Sequence, residues 1–392
     1  MYKEKMRKLF HTVKSVIMYP HIIGRINKIE SNIIFFFPFY HTGGGEQVHA
    51  DILNAVKDQF PVCILTEMSH NQDLKSEYQK SAELIELIRL GSKKSFRKFV
   101  AKRVARILNR KGNLTIFTCN SPFFDLMAPF LDDKIRKIDL IHTYRGDVVG
   151  DTEHRTLPYV NQLDNRVVLG NKQRELTIGF YKRFGLPDYL NERVVVIPNA
   201  VPLVNFNDSR RYPTKTLNIL FVSRNGWEKR PRMFVDIAKK AFEKNMPFHF
   251  TMVGDFEEFG NQVTPNVTLA GRVSDKQKLG TFYKEAHVLL VTSVFEGLPM
   301  VILEGMSYGV VPISTGVGEI PYHVGEQSET GFIIDGSLKE DAMVLDFVDK
   351  ITYVFENQTI LQSFSKKVVK KVAGEFSKSA FIENYRRLIL NK

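Results

Sequence analysis

The feature that most constrains this chain is a repeated alternation of short apolar runs, rich in β-branched and aromatic residues, with longer stretches of helical period. The runs predict strands at 33–37, 62–66, 114–118, 138–142, 167–169 and 194–197, then at 217–222, 249–253, 267–269, 288–291, 311–314 and 332–334. Such alternation is the mark of parallel sheets with crossover helices. A length of 392 residues exceeds what one core organises, and the period lapses over 198–213, where Pro, Asn, Asp and Ser collect. The expectation is therefore α/β, with two Rossmann-like doubly wound domains at 1–200 and 201–375. A C-terminal helix over 376–392 is expected to pack back on the first domain. In such sheets ligands bind beyond the carboxyl ends of the strands, so a cleft between the domains is the default site.

Charge divides the chain unevenly. The net charge is +12, and the first 200 residues hold 31 Lys and Arg against 21 Asp and Glu. That bias points to an anionic partner for the front half: a membrane surface, a nucleic acid or a phosphorylated substrate. From Arg89 to Lys111 run ten basic residues and no acidic one, with Phe96, Phe99, Val100, Val104, Ile107 and Leu108 at helical spacing. Two readings stand: an amphipathic helix lying on an anionic membrane, or a helix whose apolar stripe packs on its own sheet. Residues 3–17 carry a weaker version of the same pattern. No apolar run reaches the roughly 18–20 residues that span a bilayer, because even 33–39 contains Pro38. No secretory signal is read at the N-terminus. Cys63 and Cys119 are the only cysteines, which excludes a disulfide framework or a Cys-based structural zinc cluster and fits a reducing compartment.

The segment 293–324 is the densest in chemistry. Glu296 opens a Gly-Leu-Pro turn at a predicted strand end, and Glu304 follows within the next helix. Backbone N–H groups at such a turn can hold phosphate or sugar oxygens, and a neighbouring carboxylate accepts from hydroxyls. Taken singly, Glu296 reads as a helix N-terminal charge and Glu304 as a solvated helix face. Taken together, with seven residues between them and Gly297, Pro299, Gly305, Met306 and Gly309 around them, they closely resemble the donor-site signature of the GT-B retaining glycosyltransferases of family 4. The chain departs from that pattern at 316–321, GVGEIP, which leaves Glu319 without an implied role.

Further stretches resemble the same family. After the strand at 217–222 come Arg224 and Lys229, in the positions of the pair that neutralises the donor diphosphate. Fixed cations there would stabilise the charge of a departing nucleoside diphosphate. Val253-Gly254-Asp255 and Ala270-Gly271-Arg272-Val273 resemble the next two strand-end loops. In the front half, His41-Thr-Gly-Gly-Gly-Glu46 precedes a helix and resembles the family's glycine loop, while His142 ends the strand at 138–142 and is followed by Arg145 and Asp147. By itself the triple glycine is a weak signal, and a lone histidine at a strand end is commonly structural. Val195 to Asn199 resembles the strand and Pro-Asn turn ahead of the linker.

The resemblance implies a retaining, metal-independent glycosyltransferase using a nucleotide diphospho-sugar, a UDP-sugar first and a GDP-sugar next. It implies no cofactor. Glu296 would contact the sugar, Glu304 the ribose diol, and Gly297, Leu298, Pro299 and Met300 the sugar and phosphate. Arg272 and Val273 would lie by the base, Gly43, Gly44 and Gly45 would face the donor, and His142 would stand near the reacting centre. Arg145 and Asp147 would face a glycan or lipid-linked acceptor in surface polysaccharide or glycolipid synthesis. Such a protein is expected in the cytoplasm, peripheral on the inner membrane face, with no nucleic-acid partner. The alternatives are a nucleotide-sugar epimerase on the same scaffold and a basic nucleic-acid-binding protein.

Overall fold

The computed structural model describes residues 18–90, 94–204 and 215–391. The expected helix at 3–17 and the residues 91–93 of the basic segment lie outside them. The chain divides into two compact units, 1–197 with 382–392, and 198–381. The boundary thus falls three residues ahead of the expected one. The second unit also runs past 375, because Val201 bridges to Ser377 and its N–H donates to the Phe376 carbonyl at 3.2 Å. Only the end of the last helix groups with the first unit, where Tyr385 and Ile389 are buried and the Arg386 guanidinium donates to Asp58.

The first unit holds strands β1 (Ile33–Phe37), β2 (Val62–Leu65), β3 (Glu83–Glu86), β4 (Thr115–Cys119), β5 (Arg136–Leu140), β6 (Asn165–Val168) and β7 (Val194–Val196), ordered 3-2-1-4-5-6-7. Each of their pairings is parallel. Helices cover both faces of such a sheet, so central strands read as unbroken apolar runs; Ile33 to Phe37 are all buried. Strand β3, with the sequence ELIE, escapes the sequence reading. It lies at the sheet edge with only Ile85 buried and with flanking carboxylates, which suit an edge exposed to water.

Two helices of this unit matter below. Helix α1 (Gly44–Ala55) follows β1, and α2 (Lys94–Lys111) is the basic segment. Val100, Ala101, Val104, Ala105, Ile107 and Leu108 of α2 are buried in the unit's own core. The apolar stripe is therefore consumed within the fold, and the helix cannot lay it into a bilayer. Its outer face carries exposed Lys94, Lys98, Lys102, Arg103, Arg106 and Arg110, together with Phe99 at 56% exposure. Among the described residues no helix is long and apolar enough to cross a membrane.

The second unit holds β8 (Leu217–Val222), β9 (Phe248–Val253), β10 (Val267–Leu269), β11 (Val288–Val291), β12 (Val311–Thr315) and β13 (Phe332–Ile334), ordered 10-9-8-11-12-13 and parallel throughout. Numbered within the unit this is 3-2-1-4-5-6, the doubly wound order whose direction reverses between the first and fourth strands. The helices α3 (Pro231–Glu243), α4 (Lys276–Glu285) and α5 (Met300–Ser307) flank it. In both units the reversal point, β1 beside β4 and β8 beside β11, places strand ends next to the residues singled out in the sequence.

Candidate active site

In the second unit the loops after β8 and β11 leave neighbouring strands at the reversal point, and side chains and backbone lace them together. The Thr292 hydroxyl donates to the Lys229 carbonyl at 2.6 Å, and the Val294 N–H donates to the Glu228 carbonyl at 2.7 Å. Across this seam the Lys229 ammonium donates to Glu296 Oε1 at 2.6 Å, and the Ser293 hydroxyl donates to the same oxygen at 2.6 Å. Both ionic partners are largely shielded, with side chains 21% and 10% exposed. Charge-assisted bonds of this kind are the stronger class, and partial burial keeps them from being screened.

Arg224 stands differently. It donates to Glu228 at 2.7 Å, but its side chain is 75% exposed while the Glu228 carboxylate is buried. Gly226 makes that burial geometrically feasible, since a Cβ there would sit 2.6 Å from a Glu228 oxygen. Arg230 then turns the chain with φ +48 before Pro231 opens α3, a left-handed conformation in a non-glycine residue directly after Lys229. Such strain collects where surrounding structure over-determines the backbone.

The turn 297–300 leads into α5, whose N-cap is Pro299 without a side-chain cap. The first-turn N–H groups of a helix lack intrahelical acceptors, so this end is suited to phosphate or sugar oxygens. Leu298 is held by Asn199, whose amide donates to the Leu298 carbonyl at 2.8 Å. Gly318 closes the turn from the other side. It lies at φ +59, and a Cβ there would fall 2.2 Å from the Glu296 carbonyl oxygen. Next to it, the Glu319 N–H donates to the Gly297 carbonyl at 3.0 Å. The departure at 316–321 thus packs against the turn 297–300 through its backbone.

Glu304 is not a solvated face residue. It is half-buried on α5 and accepts from the Tyr283 hydroxyl at 2.9 Å. Burial raises its carboxyl above the usual range, against the Tyr283 bond, which lowers it. Arg272 is exposed and Val273 half-buried in the loop after β10, where Gly271 takes φ +67 and the Gly254 N–H donates to its carbonyl at 3.0 Å.

In the first unit α1 begins at Gly44, so Gly44 and Gly45 form its first turn and Gly43 is the N-cap. The expected loop is shorter than read, because glycines at a helix start leave no β-carbon to mark the boundary. A Cβ on Gly43 would collide with the Glu46 carboxylate at 2.0 Å, whereas one on Gly45 would touch the His142 ring at 3.4 Å. His41 Nε2 lies 3.9 Å from Glu46 Oε1.

His142 lies two residues beyond β5, not at its last position. Its Nε2 is 3.0 Å from Nε2 of His49 on α1, and His49 stacks on Phe37 with ring centroids 4.1 Å apart. Burial lowers both imidazoles, His142 to about 4 and His49 well below the usual value, so both are neutral near pH 7. Arg145 pairs with Asp151 at 3.0 Å and Asp147 with Arg183 at 2.8 Å.

Several partners were given no role in the sequence reading: Thr292, Tyr283, Asn199 and His49 supply hydrogen bonds to site residues from distant positions, and Ser293 supplies one to Glu296 from three residues away. Trp227 was given none either. It is 72% exposed beside Lys229, with its ring edge-on to Phe295 at 5.8 Å. A lone exposed tryptophan in the Arg224–Lys229 loop was the one signal available in the sequence.

Residues 216–357 match the family model of glycosyl transferases group 1. An uncharacterized glycosyltransferase of Methanocaldococcus jannaschii is 27% identical over 215 residues, 53% of this chain and 55% of that protein. The amylovoran biosynthesis glycosyltransferase AmsD of Erwinia amylovora is 27% identical over 157 residues, 37% of this chain and 42% of that protein. The matched part of the chain thus spans about half the length of these curated relatives. The pneumococcal O-GlcNAc transferase GtfA, solved with UDP and GlcNAc, superposes with a TM-score of 0.73 at 12% identity, over 93% of this chain and 99% of that one. The fold is that of the GT-B glycosyltransferases, two Rossmann-like parallel-sheet units.

Proposed function

We infer that this chain, which carries a group 1 glycosyl transferase domain over residues 216–357, transfers a sugar from a nucleotide diphospho-sugar to a glycan or lipid-linked acceptor. The observation that carries this reading is the Lys229–Glu296 pair at the strand-order reversal of the second unit. An ammonium held by a carboxylate is fixed in place, and together they offer a cation for phosphate oxygens and an acceptor for sugar hydroxyls. As the glycosidic bond breaks, negative charge grows on the leaving diphosphate. Lys229 and Arg224, with the N-terminus of α5, stabilise that charge without a metal. The turn 297–300 lies against sugar and phosphate, Glu304 accepts from the ribose, and Arg272 with Val273 borders the base. His142 and the glycine turn 43–45 serve the first unit's side of the reaction, as neutral hydrogen-bonding groups.

UDP is the favoured carrier, in line with the UDP held by the pneumococcal structure, and GDP the next. Configuration at the anomeric carbon is retained. The exposed cationic face of α2 suits an anionic membrane at the cytoplasmic side, where a lipid-linked precursor of a surface polysaccharide would be met. AmsD, a polysaccharide-biosynthesis glycosyltransferase by name, is in keeping with that setting.

The test is thermal-shift binding of UDP-, GDP-, ADP- and dTDP-sugars in the presence of a chelator, followed by acceptor assays with the sugar that stabilises. Ligand bound only by the native state raises the melting point. Stabilisation by one nucleotide sugar, lost in Lys229→Ala, supports the donor site, and NMR of the product reads the anomeric outcome. A chain that none of them stabilises is not the transferase described here.

A further inference from the structure

We propose that the first unit contains a binding site for a borderline-soft divalent cation of the zinc class, made by His49, Cys119 and His142. Three different elements supply these residues: α1, the last position of β4, and the segment just beyond β5. Their ligand atoms all lie within 4.8 Å of one another, and the two imidazole Nε2 atoms face each other at 3.0 Å.

Two nitrogens bound to one tetrahedral ion with legs of about 2.0–2.1 Å stand roughly 3.3 Å apart, so the histidine pair is within a few tenths of an ångström of ligating geometry. A two-nitrogen, one-sulfur donor set selects zinc-like ions over magnesium or calcium, which require oxygen.

The surroundings fit the same reading. Phe37 stacks on His49 and fixes its ring. Cys119 and His49 are buried, and His142 is the part-exposed member. An ion would enter by that side, and its fourth position would be left to water or a ligand. Asn120, directly after Cys119, takes φ +44 and turns the chain sharply at the strand end. On binding, the Cys119 thiol gives its proton to solvent as the metal–sulfur bond forms. Both imidazoles then present Nε2 lone pairs and keep their protons on Nδ1.

All three ligands belong to the first unit. The ion's effect on transfer rests on the function proposed above: an ion that takes the Nε2 of His142 withdraws that group, so zinc would inhibit and a chelator would restore activity.

The decisive experiment is independent of turnover. Full-length protein freed of metal is titrated with Co2+ and followed by absorption, and Zn2+ affinity is read by competition with a chromophoric chelator. The expected result is one equivalent bound, with a sulfur-to-cobalt band in the near ultraviolet that Cys119→Ser abolishes. His49→Gln is expected to weaken binding at least tenfold, and melting curves verify that both variants are folded. A folded wild-type protein without the sulfur band overturns the site whether or not Cys119→Ser folds, as does a band that persists in a folded Cys119→Ser. Binding with no transfer activity to inhibit would leave the metal site standing and remove the transferase reading instead.

Discussion

The Lys229 ammonium lies 2.6 Å from the Glu296 carboxylate, although 66 residues separate them in the chain. The contact exists because β8 and β11 are neighbours at the point where strand order reverses. Lys229→Ala leaves Glu296 without its counter-ion and, on the proposed function, removes the fixed cation for the donor diphosphate. A loss of about 10²–10³-fold in kcat is expected, comparable to removing one preorganised electrostatic donor. Glu296→Ala is expected to fall in the same range. Arg224→Ala is expected to cost less, because its exposed guanidinium works in water. Initial rates with saturating donor read the order, and wild-type-like rates in Lys229→Ala and Glu296→Ala would remove both residues from the site.

Glu304 makes stability depend on pH with a definite sign. Burial raises its carboxyl in the folded chain, so the native state holds that proton to higher pH than the unfolded state does. Its contribution is complete below the unfolded value near 4.5 and is lost as pH rises through the folded one. Glu304→Gln, which carries no titrating proton, is expected to gain stability relative to wild type between pH 4 and pH 8. Tyr283→Phe removes the hydrogen bond that favours the charged form, so its penalty grows over the same interval, to about 2 kcal/mol. Urea unfolding at the two pH values measures both.

Gly318→Ala should disturb the turn 297–300 through its backbone, without removing any side chain of the proposed site. The added methyl meets the Glu296 carbonyl at 2.2 Å and the Gly297 carbonyl at 2.6 Å, on a backbone with φ +59. Displacement of the turn is expected to raise the donor Kd tenfold or more. Gly45→Ala meets only the His142 ring at 3.4 Å and is expected to leave donor affinity within a few-fold of wild type. Calorimetric titration with the stabilising nucleotide sugar compares the two.

Asn199→Ala removes the amide that holds the Leu298 carbonyl at 2.8 Å in a buried setting. A buried acceptor left unpaired costs about 1–3 kcal/mol. The melting point should fall accordingly, and donor affinity should fall with it, because the same carbonyl belongs to the turn. Unchanged affinity in a destabilised variant would limit Asn199 to a structural role.

Reversal of the exposed face of α2, by Lys98→Glu, Lys102→Glu and Arg106→Glu, is expected to abolish binding to anionic vesicles and leave the fold intact, since the buried stripe on the opposite face is untouched. Sedimentation with vesicles containing an anionic lipid, at low and high salt, tests it. The attraction should weaken as salt rises, in keeping with surface charge.

The sequence by itself determined the periodicities and the local motifs. Strands β1, β8, β10, β11 and β13 lie at their expected residues; β1 and β11, buried at every position, are written as unbroken apolar runs. The glutamate spacing is equally local, since 296 and 304 share one strand-turn-helix unit. Only the tertiary structure decided which chemistry meets which. Tyr283 on Glu304, Asn199 on Leu298 and His49 on His142 are contacts between residues on different elements or loops, set by strand order, register and packing. The orientation of α2 was of the same kind. Helical period marks an apolar stripe but not what covers it, and the burial of Val104 and Leu108 within their own unit assigned the stripe to the core and the charges to water. A one-dimensional pattern carries period and spacing, whereas hydrogen bonds and burial depend on which elements the fold brings side by side.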